Sequence, residues 1–122
     1  MDTKSTEEKI IMEQIPVQKK RVRIGKVDEI SEGHGREVTV EGRKLALFKV
    51  NGGYYAVSNL CLHRGGPLSE GELDAYRVTC PWHGWKYDVR TGAFDIIPTL
   101  KVRSFPVVQE DGSLYVELDS HS

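Results

Sequence analysis

Cys61 and Cys80 are the only two cysteines in the chain, and each is followed closely by a histidine. The first segment reads Cys61-Leu62-His63-Arg64-Gly65-Gly66-Pro67 and the second Cys80-Pro81-Trp82-His83-Gly84-Trp85. The order is C-x-H, then sixteen residues from 64 to 79, then C-x-x-H. Each segment therefore offers one soft thiolate and one borderline imidazole, a pairing that suits a metal. Two cysteines are too few for the disulfide framework of a small secreted domain. In a reducing compartment both would stay thiols or become metal ligands.

The residues around these segments have the rhythm of a β protein. From Arg21 onward, short β-branched and aromatic runs are separated by Gly, Asn and Asp, which is the pattern of antiparallel strands joined by tight turns. The expected strands are Val22–Val27, Arg36–Val40, Lys44–Val50, Tyr54–Ser58, Arg77–Thr79, Trp85–Val89, Lys101–Val107 and Leu114–Glu117. Asn51-Gly52-Gly53 and Glu110-Asp111-Gly112 tolerate positive φ and should close hairpins. Asn59 to Glu72 and Cys80 to Trp85 carry no strand pattern and read as two loops interrupting the sheet. Residues 1–20 are rich in charge and poor in aromatics, so they are expected to form a flexible N-terminal extension, with residues 21–119 as the folded domain.

Composition removes several functions. A chain of 122 residues is expected to make one domain, without room for a second, catalytic one. Seventeen Lys and Arg against eighteen Asp and Glu create no large single-sign field, so neither nucleic acid nor an anionic membrane is the expected partner. No apolar run approaches the length of a bilayer span, and the first thirty residues lack the apolar stretch of a signal peptide. The expected location is cytoplasmic and the expected state a monomer.

Four Cys and His donors allow more than one metal. A structural zinc ion is the familiar occupant of a Cys₂His₂ set, although its ligands are usually spaced by two to four residues and C-x-H is tighter. A catalytic Cys–His pair would not explain why the pair is duplicated. A site with two inequivalent irons uses the division directly, thiolates on one iron and imidazoles on the other. His34, in a Glu-Gly-His-Gly turn, and His121, near the C-terminus, read as solvated histidines.

The C-x-H…C-x-x-H pair and the surrounding CPWHGWKYD-x-x-TG text resemble the Rieske [2Fe–2S] family across Cys61 to Gly92. The resemblance implies an all-β fold, an antiparallel sandwich or barrel with a small cluster-binding subdomain made of two loops. It implies that Cys61, His63, Cys80 and His83 hold one [2Fe–2S] cluster, with the outer nitrogens of both imidazoles near solvent. The high-potential branch has a further cysteine in each loop, joined in a disulfide; Gly66 and Trp82 stand there in this chain. That branch also has a serine donor where this chain has Trp85, whereas Tyr87 matches the family tyrosine that donates to a cysteine sulfur. Donors to sulfur raise the potential, so one fewer places it at about −150 mV, the low end of the Rieske range.

Trp82, Trp85, Tyr87 and Phe94 are expected to pack around the site, and Leu62 and Arg64 to lie at its tip. The function implied is that of a soluble electron carrier, not an enzyme, similar to the Rieske-type ferredoxins that pass single electrons from a flavin-dependent reductase to a terminal oxygenase. A Rieske-like small subunit of a nitrite reductase or another multi-subunit oxidoreductase is the alternative. A metal-dependent structural module, which would be colourless, is the third reading.

Overall fold

The computed structural model describes residues 19–62 and 65–119. The extension expected over residues 1–20 lies almost wholly outside them; Lys19 and Lys20 already belong to the first strand. The strands are β1 (Lys19–Lys26), β2 (Gly35–Val40), β3 (Arg43–Val50), β4 (Gly53–Ser58) and β5 (Glu72–Asp74), followed by β6 (Arg77–Thr79), β7 (Lys86–Asp88), β8 (Ser104–Phe105), β9 (Val107–Glu110) and β10 (Ser113–Asp119). Two 3₁₀ turns, Val27–Glu29 and Leu68–Glu70, supply the helical content among the described residues. Neither is long and apolar enough to cross a membrane.

Among the described residues the strands make three antiparallel sheets, ordered β1-β10-β9, β2-β3-β4-β8 and β5-β6-β7. Three hairpins turn on a residue pair with positive φ at both positions: Glu41-Gly42, Asn51-Gly52 and Asp111-Gly112. This is type I′ geometry, whose twist matches that of the flanking strands. The second and third pairs fall in the expected turns. The first, between β2 and β3, carries a weaker signal, since glutamate is an unusual left-handed residue.

β3 explains the layering. Its segment Leu45-Ala46-Leu47-Phe48 is buried without interruption, where a strand facing water on one side would alternate. Leu45 and Leu47 pack toward Val116 and Leu114 of β10, while Ala46, Phe48 and Val50 pack with Val78, Tyr87, Cys61 and Cys80. The β2-β3-β4-β8 sheet is thus a middle layer, with β1-β10-β9 on one face and the small β5-β6-β7 sheet with its loops on the other. Both cysteines are part of a hydrophobic core rather than of a separate appendage.

Two expectations change. The strand expected over Lys101–Val107 is divided: Lys101 forms an isolated bridge with Ala93, Ser104–Phe105 pairs with β4, and Val107–Glu110 pairs with β10. Pro106 stands at the division and has no N–H to give to a ladder. The chain changes sheets there. Glu72, the last residue of the expected first loop, instead opens β5 (Glu72–Asp74), a strand the sequence did not suggest, which pairs with β6.

Candidate metal centre

Both loops are anchored at a cysteine and bend back in the same way. The Cys61 carbonyl accepts a hydrogen bond from the Gly65 amide at 2.9 Å, and the Cys61 amide donates to the Gly66 carbonyl at 2.9 Å. In the second loop the Cys80 carbonyl accepts from Gly84 at 3.0 Å, and the Cys80 amide donates to the Trp85 carbonyl at 2.7 Å. The offsets, four residues and five, are identical. Each turn needs a left-handed residue at the fourth position, and glycine stands there twice, Gly65 with φ +68° and Gly84 with φ +76°. Two segments of different sequence therefore share one hydrogen-bond pattern, each with a cysteine at its root.

The roots are buried and the tips exposed. Cys61 is 3% and Cys80 1% exposed, and no disulfide joins them. Leu62 and Trp82, beyond them, are about half exposed, and His83 is exposed as well. His83 lines an open groove of about 390 Å³ with Trp85, Phe94 and Ile96. His63 and Arg64 lie outside the described residues. Among the described residues no three His, Cys, Asp or Glu side chains converge as a ready cation site. His34 Nδ1 donates to the Glu32 carbonyl of its own turn at 3.1 Å; His121 is outside the described residues.

Two residues bring the loops together. A Cβ on Gly66 would stand 2.6 Å from Cys80 Sγ and 3.1 Å from the Trp82 ring, so the first loop's glycine is pressed against the second loop's sulfur and indole. Gly66 and Trp82 are the positions where the related branch has its disulfide cysteines, and here a close packing contact replaces the covalent one. Tyr87, fully buried in the small sheet, places its hydroxyl 3.1 Å from Cys61 Sγ and 3.1 Å from the Leu62 amide, from which it accepts. Burial first, and the hydrogen bond to Cys61 second, hold the phenol well above its usual range, so at neutral pH it keeps its proton and can give it to sulfur.

The aromatic packing expected around the site is present. Trp85 stacks on Phe94 with ring centroids 4.3 Å apart at 12°, and Phe94 meets Tyr87 at 5.6 Å.

Sequence reasoning missed Asn59. It is 1% exposed and makes four hydrogen bonds at the base of the first loop. Its amide donates to Lys44 O at 2.9 Å and its carbonyl accepts from Leu68 at 2.8 Å. Its side chain accepts from the Ser69 amide at 2.6 Å and donates to Glu37 at 2.7 Å. Asn59 thus ties the entry of the loop to its exit, beside the Leu60–Pro67 bridge. An asparagine before a loop is too common for the sequence to reveal this.

Comparison with known proteins gives one family. The model of the Rieske [2Fe-2S] domain matches residues 20–106. The chain is 38% identical over 97 residues, 77% of its length and 82% of the relative's, to the ferredoxin component of the p-cumate 2,3-dioxygenase system of Pseudomonas putida. Among solved structures it resembles the ferredoxin of carbazole 1,9a-dioxygenase from Nocardioides aromaticivorans, with 31% identity and a TM-score of 0.74, covering 79% of this chain and 95% of that one. It also resembles a chain in a complex of reduced oxygenase and oxidized ferredoxin of carbazole 1,9a-dioxygenase, with 31% identity, a TM-score of 0.72 and coverage of 79% and 91%.

Proposed function

The chain belongs to the Rieske [2Fe–2S] domain family, and from that premise we propose that it is a one-electron carrier whose single cluster is held by Cys61, His63, Cys80 and His83, delivering electrons to a terminal oxygenase. The observation that carries the ligand assignment is the matched pair of cysteine-rooted turns, pressed together at Gly66 and supplied with a protonated donor at Cys61 by Tyr87. The donor set fits a two-iron cluster: two sulfurs are sunk in apolar core, where thiolate charge is best shared with iron, and His83 is at the surface. When bound, the cluster supplies a one-electron couple.

The protein's own residues do the rest. Cys61 and Cys80 are held at the core side, Tyr87 directs a proton at one of their sulfurs, and the stacked Trp85 and Phe94 keep water from that side. His83, at the exposed tip, offers the short path outward. The chain carries no bond chemistry of its own in this reading. Its relatives include dioxygenase ferredoxin components, and a similar chain is seen complexed with an oxygenase; the electron donor is a flavin-dependent reductase, and the carrier is soluble and cytoplasmic. With Trp85 where the related branch has a serine donor, one donor fewer supports a potential at the low end of the range, about −150 mV, and the Tyr87 donor keeps it from lying lower still.

Absorption and low-temperature EPR spectra of the purified, dithionite-reduced protein test this reading. The expected signal is that of an iron pair with mixed sulfur and nitrogen ligation. A colourless protein holding one zinc, or the signal of a four-cysteine ferredoxin, overturns it.

A further inference from the structure

Next to the first loop lies a groove of about 450 Å³ whose lining includes Arg43, Lys44, Ser58, Leu60, Arg103 and Phe105. Three of these are cations, and no acidic residue lines the groove among the described residues. In a chain of net charge −1 such a concentration goes against the overall balance. Elsewhere cations are commonly neutralised, as in Arg77–Asp95 and the bidentate Arg90–Asp88 pair. Arg43 and Lys44 have no carboxylate partner among the described residues. Arg43 and Lys44 are neighbouring like charges in this lining, and an anionic visitor would relieve their mutual repulsion.

The groove is also tied to the ligand loop. The Lys44 carbonyl accepts the Asn59 amide at 2.9 Å and the Arg103 carbonyl accepts the Ser58 amide at 2.7 Å. These are the two residues that lead into Leu60 and Cys61. The Arg103 guanidinium is held over the Phe105 ring at 5.0 Å, and Leu60, adjacent to Cys61, is 53% exposed on the groove. Whatever sits among these cations is thereby placed one residue from a proposed cluster ligand.

Resting on the carrier reading above, we propose that this groove is a docking site for an acidic surface loop of the electron-accepting oxygenase, its carboxylates meeting Arg43, Lys44 and Arg103 and an apolar side chain meeting Leu60. The mixture of charge and apolar floor favours a peptide segment over a free anion, because Leu60 and Phe105 offer a small anion nothing. Guanidinium forks suit carboxylates geometrically. Rim charges of this kind speed encounter and set orientation while leaving release fast, which is what a carrier requires.

The probe is a fluorescein-labelled hexaglutamate peptide, its anisotropy followed with the cluster-loaded protein at low ionic strength, where exposed charges act over a long Debye length. Saturable binding is expected, about tenfold weaker in Arg43→Glu/Lys44→Glu and intermediate in Arg43→Gln/Lys44→Gln, with an unchanged cluster spectrum. An Arg23→Glu/Lys26→Glu control, the same charge change on β1, should bind as the parent does. Equal loss in that control, unchanged binding in the groove variants, or displacement by inorganic phosphate at matched ionic strength overturns the proposal. Oxidation of the reduced protein by a carbazole 1,9a-dioxygenase terminal oxygenase separates the two readings. Peptide binding without electron delivery overturns the carrier reading and with it the named occupant; delivery that is indifferent to charge reversal in the groove overturns the groove alone.

Discussion

The Tyr87 hydroxyl stands 3.1 Å from Cys61 Sγ, joining residues 26 positions apart within the core beneath the two loops. A hydrogen bond to sulfur is stronger when the sulfur carries more negative charge, so it favours the reduced cluster. Tyr87→Phe keeps the ring and its contact with Phe94 and removes only the donor. With a differential hydrogen-bond worth of about 1 kcal/mol and 59 mV per tenfold for one electron, the potential should fall by about 40 mV. Protein-film voltammetry reads this directly, and an unchanged or raised potential would show that the hydroxyl does not donate to sulfur.

Gly66 and Gly65 adjoin each other and should respond differently. A Cβ at Gly66 meets Cys80 Sγ at 2.6 Å, whereas one at Gly65 meets nothing within 4 Å among the described residues and faces there the strain of φ +68°. Gly66→Ala is expected to lose most of its iron. Gly65→Ala should keep its iron at a stability cost of about 1 kcal/mol. Iron per chain, measured for both variants, checks the contrast; equal retention would mean that the loops can part without losing the site.

Asn59→Ala deletes both side-chain bonds and leaves the buried Ser69 amide without its acceptor. A buried donor left unmet costs about 1–3 kcal/mol. The loss should be visible in denaturant unfolding and, more specifically, as faster release of iron to a chelator, because the first loop loses its tie between entry and exit. A variant less stable yet releasing iron at the parent's rate would count against that positioning role.

Glu32 makes a prediction in pH. Its carboxylate accepts the amides of Gly52 at 3.0 Å and Asn51 at 2.5 Å, holding the β3–β4 turn, and these two bonds lower its pKa below the ordinary 4.5. A carboxyl with a depressed folded pKa adds stability that is fully present above 4.5 and disappears as acid protonates it in the folded state. Glu32→Gln should therefore melt below the parent at neutral pH, with the gap narrowing as pH falls beneath 4.5. Thermal unfolding across the acid range measures the gap; a difference independent of pH would assign the effect to shape rather than charge.

The two cysteine-bearing loops, the two flanking hairpins and the β class were legible from residue types and spacing alone, because glycine and asparagine in tight turns and C-x-H beside C-x-x-H carry local meaning. The break at Pro106 was legible in principle, since a proline cannot serve a ladder from within it, yet the apolar rhythm of residues 101–107 hid it. β5 stayed hidden because Glu72-Leu73-Asp74 has no strand propensity and pairs only because β6 is already in place.

The sequence by itself determined which donors exist, how many and in what order, since those are properties of covalent chemistry. Only the tertiary structure decided that two unlike segments share one hydrogen-bond pattern, that Gly66 bears on Cys80 while Tyr87 reaches Cys61, and that Asn59 closes the first loop. It also decided that Arg43 and Lys44 would share a groove with Arg103. The reason is physical: each of these contacts is made between residues distant along the chain, and burial and hydrogen bonding select among such encounters only once the sheets have packed.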